Sequence, residues 1–129
     1  MPATVLSHFN LRADRPVITA LRDFYVDAIG LTVGYRPPFH VAGYWLYIGD
    51  IDVLHLTETK PDETRSSHAI STFHHVAFGC TGRSAFEERL RHLQISFTNE
   101  QVPLTNLHQL FCADPAGNGV ELNFVEPRS

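Results

Sequence analysis

The chain is short of cysteine, tryptophan, methionine and basic residues. It has two Cys, one Trp, one Met, and ten Lys+Arg against fourteen Asp+Glu in 129 residues. Cys80 and Cys112 both fall inside apolar strand-like runs, so they read as buried reduced thiols rather than a disulfide framework. The formal net charge is −4 and the pI near 6.0. With no cluster of Lys or Arg, no nucleic-acid partner is expected. No apolar run reaches bilayer length, and Met1 to Leu11 lacks the basic start and apolar stretch of a secretory leader. The expectation is a cytoplasmic protein with no membrane partner.

What is present is enough for a core. The chain is 43% hydrophobic and 19% charged, with nine Phe. Its length fits one domain or two small fused halves. Eight His exceed ordinary usage and direct attention to metal ligation.

Periodicity organises the chain. Val5 to Leu11 alternates as a strand. Asp14 fits a helix N-cap with Pro16 in the first turn, and Ile18, Leu21, Phe24, Tyr25, Ala28 and Ile29 recur at helical spacing. A helix is expected over 15–29, stopped by Gly30. Strands follow over 31–36, 44–48 and 51–57. Glu58 to Thr72 is polar and aperiodic and reads as a connecting segment. The order then restarts. Phe73 to Cys80 is a strand. Ser84 with Glu87 has the capping-box pattern, and Phe86, Leu90 and Leu93 form a helical stripe. Strands are expected over 95–98, 107–112 and 119–125. The last follows Asp114-Pro115-Ala116-Gly117-Asn118-Gly119, a run of tight-turn residues.

The chain thus reads β-α-β-β-β twice: a module over 1–60, a linker over 61–72 and a module over 73–129, within one domain of class α+β. His8 and His75 take the same place in the two first strands, and His55 and Glu121 in the two last strands, at offsets of 67 and 66 residues. Parity separates these four from the core. Phe9, Leu11, Leu54, Leu56, Val76, Phe78, Leu122 and Phe124 share the faces that can cover the two helices. His8, His55, His75 and Glu121 lie on the opposite faces. If the two sheets curve toward one another, the four meet in a cleft as a donor set for Fe(II), Ni, Zn, Co or Mn. A half-solvated antiparallel sheet also carries His and Glu on its wet face, and no two of the four form a local metal motif. Asn10 and Arg12 share the face of His8, and Asn123 that of Glu121; these are the candidates for orienting a substrate. His74 is expected to pack, His68 and His92 to lie at the surface, and His40 and His108 to be weaker site candidates.

SHFNL (7–11), FYVDAIGLTV (24–33), VLHLTE (53–58), FHHVAF (73–78) and above all LFCADPAGNGVELNF (110–124) resemble the vicinal-oxygen-chelate superfamily, which includes glyoxalase I, extradiol dioxygenases and antibiotic-resistance proteins. The resemblance implies paired βαβββ modules whose curved mixed sheets form one metal-binding cup. It implies ligands at His8, His55, His75 and Glu121 and one divalent cofactor. It also implies a small-molecule substrate held through neighbouring oxygens, with Glu121 and His55 as catalytic groups, and a homodimer. The activity implied is lyase or isomerase chemistry through an enediolate; Fe(II) extradiol ring cleavage and binding without turnover are the alternatives. His55 is a departure, since the glyoxalase branch has Glu or Gln there and the dioxygenase branch needs no ligand there.

Overall fold

A computed structural model of the chain describes residues 1–126; the last three positions of the expected second module, 127–129, lie outside the described residues. The chain forms two compact units, Met1–Ser67 and His68–Ser129. Each is a four-stranded mixed sheet with one helix, which makes the fold α+β with two βαβββ modules.

In the first unit the elements are β1 (Phe9–Ala13), α1 (Arg15–Phe24), a π-helical turn (Tyr25–Ile29), β2 (Thr32–Gly34), β3 (Gly43–Ile48) and β4 (Ile51–Glu58). The sheet order is β1-β4-β3-β2, with β1 parallel to β4 and the other pairs antiparallel. Asp14 caps α1 by accepting from the Val17 N–H at 3.4 Å, and Pro16 occupies the first turn. The expected single helix over 15–29 changes pitch at Tyr25. The Gly30 and Leu31 N–H groups both donate to the Tyr25 carbonyl, at 3.0 and 2.9 Å. Gly30, at φ 97°, then ends it in the left-handed region open to glycine. Ile18, Leu21, Tyr25 and Ala28 are buried, together with Leu46, Leu54 and Leu56 from the sheet.

In the second unit the elements are β5 (His75–Cys80), α2 (Arg83–His92), β6 (Thr98–Gln101), β7 (Leu107–Ala113) and β8 (Gly119–Val125), in sheet order β5-β8-β7-β6. Phe86 of α2 meets Phe124 edge-on with centroids 5.5 Å apart, and Leu90, Leu110, Val120 and Leu122 are buried beside them.

The repeat extends to hydrogen-bond register. Phe9 pairs Leu54, Asn10 pairs His55 and Leu11 pairs Leu56; in the second unit Val76 pairs Val120, Ala77 pairs Glu121 and Phe78 pairs Leu122. The sequence offsets therefore match pairs at equivalent ladder positions.

Four local expectations are corrected. The first strand begins at Phe9, so His8 sits just ahead of the ladder rather than within it. The capping box fails: Gly82 is the N-cap of α2 with no side-chain cap bond, and Glu87 instead accepts from the Asn99 amide at 2.6 Å. The sixth strand runs over Thr98–Gln101, not 95–98, because the Ile95 N–H closes the end of α2 on the Leu90 carbonyl at 2.9 Å. His74 does not pack; it is exposed, one residue ahead of β5.

The segment after β4 is aperiodic yet organised. Glu63 accepts from Arg65 at 2.6 Å, from the Lys60 N–H at 3.1 Å and from Arg12 of β1 at 3.2 Å. These donors, the Arg65 guanidinium first, then the Lys60 backbone N–H and Arg12, hold the Glu63 carboxyl at about 2, below its ordinary value of 4.5.

Candidate functional site

In the first unit, β1 and β4 run side by side and bring His8 to His55. Their rings stack with centroids 3.7 Å apart and planes 17° apart. Trp45, which pairs with His55 across β3 and β4, covers the opposite ring face at 4.0 Å and 6°. The edge of the ring is also engaged, because His55 Nε2 lies 2.6 Å from Asp52 Oδ2. The bond from His55 lowers the Asp52 pKa and keeps its carboxylate ionised. An ionised carboxylate can only accept, so Nε2 carries a hydrogen, which in the neutral ring makes Nδ1 the acceptor nitrogen.

His8, Asp52 and His55 each offer a ligand atom within 4.8 Å of the others, which by distance alone fits a divalent ion. The ring planes say otherwise for the two imidazoles as they stand. Imidazole binds a metal in its own plane, and two nearly parallel planes this close meet only far from either ring. One ion cannot lie in both. His8, whose Nδ1 is 3.0 Å from Ser7 Oγ, is the more exposed donor, whereas His55 is buried.

In the second unit, β5 and β8 bring His75 to Glu121, with Nε2 and Oε1 3.3 Å apart. Two donors at ~2.1 Å from one ion and at about a right angle to one another stand ~3 Å apart, so this pair fits a metal. Glu121 is buried, and its Oε2 accepts from Asn123 at 2.9 Å. Asn123 in turn accepts from Gln109 of β7 at 3.1 Å. This chain fixes one carboxylate oxygen and leaves the other toward His75. His74 Nδ1 meets His75 Nδ1 at 2.9 Å, which takes the far edge of that imidazole.

The turn before β8 sets the position of Glu121. Asp114 is buried, and its Oδ1 accepts from the Ala116 and Asn118 N–H groups at 2.9 and 3.0 Å. Gly117 takes φ 88°. Gly119 faces His75 across the ladder, where a Cβ would stand 2.4 Å from the His74 carbonyl oxygen.

Of the substrate-orienting candidates, Arg12 is paired with Glu63, Asn10 donates to Thr57 Oγ1 at 2.9 Å, and Asn123 serves Glu121. His40, His68 and His92 are exposed, and His108 pairs with Glu126 at 3.3 Å. Cys80 and Cys112 are free and half-buried, and burial raises both thiols, Cys112 to about 11. Sequence reasoning missed Asp52 and Trp45. Asp52 precedes His55 by three residues, a spacing with no meaning on a regular strand. Trp45 has aromatic or apolar neighbours on both sides, so alternation assigns it no face; its cross-strand pairing with His55 decides it.

The profile of the Glyoxalase/Bleomycin resistance protein/Dioxygenase superfamily matches residues 6–122. The chain belongs to this superfamily. Similar solved structures include a glyoxalase-family protein from Bacillus anthracis, at 17% identity and TM-score 0.72 over 98% of both chains. A lactoylglutathione lyase from Agrobacterium tumefaciens is 22% identical, with TM-score 0.63 over 96% of both chains. TnmS3, an antibiotic binding protein from Streptomyces sp. CB03234, is 18% identical, with TM-score 0.68 over 98% of this chain and 99% of that one. At these identities the likeness speaks to the fold. No curated protein matches the sequence. The superfamily commonly binds a divalent metal and contains both enzymes and non-catalytic binding proteins.

Proposed function

We propose that this protein is a divalent-metal-dependent enzyme acting on a small molecule with two neighbouring oxygens, by lyase or isomerase chemistry. The observation that supports it most is the repeated pairing: in each unit a histidine at the start of the first strand, or just ahead of it, lies against a polar group of the last strand, His8 on His55 and His75 beside Glu121. His8, His75 and Glu121 are assigned as metal ligands. A bound divalent ion would act as a Lewis acid on the paired substrate oxygens and favour an enediolate.

The chain's own groups then divide the work. Both oxygens of Glu121 are engaged, by His75 and Asn123, which suits a ligand better than a proton acceptor. His55 is the better base. Asp52 and the two stacked rings fix its orientation, so Nδ1 is presented as the acceptor of a proton alpha to a carbonyl. This assignment moves His55 from the fourth ligand to proton transfer. We assign the protein to the cytoplasm and to a homodimer on the sequence reading.

A second reading has support of its own. With His55 outside the ligand set, two His and one carboxylate remain, the donor set of non-haem Fe(II) oxygenases. Under that reading His55 shuttles a proton for extradiol cleavage of a catechol. The test is to load the protein in turn with Ni, Co, Zn or Fe(II) and assay two reactions. One is exchange of the alpha hydrogen of hydroxyketones and of glutathione hemithioacetals with solvent deuterium. The other is oxygen uptake with catechols. Exchange that needs metal and is lost in His55→Ala supports the first reading. Uptake only with Fe(II) favours the second. Neither, with every metal, contradicts both.

A further inference from the structure

The first unit carries a concavity on the helix side of its sheet. It has a volume of about 260 Å³ and lies between the start of α1, the 36–43 segment and the end of β4. Tyr44 lines it and accepts from Arg22 of α1 at 2.9 Å. Trp45 and His55, one strand position away from Tyr44 and Leu56, point to the opposite face. The pocket is therefore separate from the donors described above.

Its charge is uneven. Arg15 and Glu58 at its rim neutralise each other at 2.8 Å. Arg36 has no such partner among the described residues. Arg12, Arg15, Arg22, Arg65, Arg83 and Arg91 each sit within reach of a carboxylate. Arg36 instead donates through Nη2 to the neutral Val41 carbonyl at 2.9 Å and rests 4.8 Å over the Phe39 ring. Its Nε is buried and has no hydrogen-bond partner among the described residues. A buried N–H of a charged group left unpaired is costly, and Arg36 lines the pocket, where a carboxylate seated on its guanidinium offsets the uncompensated charge.

The remaining lining selects the kind of anion. Two arginines and one glutamate leave a single positive charge, which suits a monoanion; a dianion would face Glu58 uncompensated. Ile18, Phe39 and Val41 give the rest of the wall an apolar character. The volume is below the usual range of drug-sized sites, about 300–1,000 Å³. We propose that this pocket binds a small organic monocarboxylate with a compact hydrocarbon body, its carboxylate on Arg36. The site is independent of the metal assignment.

The test is amide NMR titration of the full chain with benzoate and, separately, with inorganic phosphate. Wild type should show saturable benzoate shifts in residues 15–19 and 36–44, and no saturable phosphate shifts there. Arg36→Gln should weaken benzoate at least about tenfold. Ala42→Phe, an exposed substitution at the pocket wall, should block binding with Arg36 intact and keeps the test open if Arg36→Gln does not fold. The proposal is overturned by the absence of saturable benzoate shifts or by shifts confined to the His8 and His55 strands. Equal binding by phosphate, or unchanged affinity in Ala42→Phe, overturns it too.

Discussion

What an imidazole can do depends on which of its edges stay free. His55 has two covered faces and one engaged nitrogen, so its single open nitrogen is chosen by its neighbours. Asp52→Ala should remove that choice. In metal-free protein, long-range proton–nitrogen spectra should show His55 as the Nε2–H tautomer in wild type and a mixture in the variant. The same tautomer in both would remove Asp52 from the orienting role. Glu63 makes a second residue-scale prediction. Its folded-state pKa is depressed, so its stabilisation is present above the ordinary carboxylate value and is lost as pH falls from about 4.5 towards 2. Urea unfolding should find wild type more stable than Glu63→Gln at pH 6, with the gap closing by pH 2. A gap that persists at pH 2 would contradict the ion cluster. At this scale the sequence was partly legible. Strand parity sorted His8, His55, His75 and Glu121 from the core, because alternation needs only local order. Asp52, Trp45 and Arg36 were not legible, since their roles depend on cross-strand neighbours and on a pocket wall.

Elements succeed or fail here at their ends. Asp14 and Gly30 are punctuation that acts within one turn, and both were readable from composition. Ser84 was not, because Gly82 started the helix two residues earlier and left Glu87 to bond elsewhere. The sixth strand was displaced for a related reason, as the hydrogen bonding at the end of α2 held Ile95. The turn into β8 is the end that matters most to the site. Asp114→Ala removes a buried carboxylate that accepts from the Ala116 and Asn118 N–H groups and from the Asn118 side-chain amide, and should cost about 2–3 kcal/mol in chemical unfolding. A loss below experimental error would show that the glycines alone hold the turn. Gly119→Ala is more specific. Its Cβ would press on the His74 carbonyl and on His75 Cβ, at 2.4 and 2.9 Å. It should cost about 1–3 kcal/mol and separate His75 from Glu121, so metal affinity should fall as well. Unchanged stability and affinity would contradict the close approach of β5 and β8.

For the molecule as a whole, one plan is used twice. Both units share strand order, parallel and antiparallel pairing and ladder register, so the offsets found in the sequence are a property of the fold. The repeat was visible because the order of strand and helix periodicities restarts at Phe73, with His8 and His75, and His55 and Glu121, at matching places, and the superfamily profile reaches into both modules. Substrate identity was not visible, because no residue type or spacing specifies it. The central proposal is that His8, His75 and Glu121 are ligands of a divalent metal. Elemental analysis of untagged protein, purified without chelators beside His8→Ala and Glu121→Ala, tests it most directly. The account predicts about one divalent ion per chain in wild type and loss of that ion in each variant, with both variants folded. Wild type that stays metal-free after reconstitution, or a Glu121→Ala variant that keeps its metal at unchanged affinity, would contradict it.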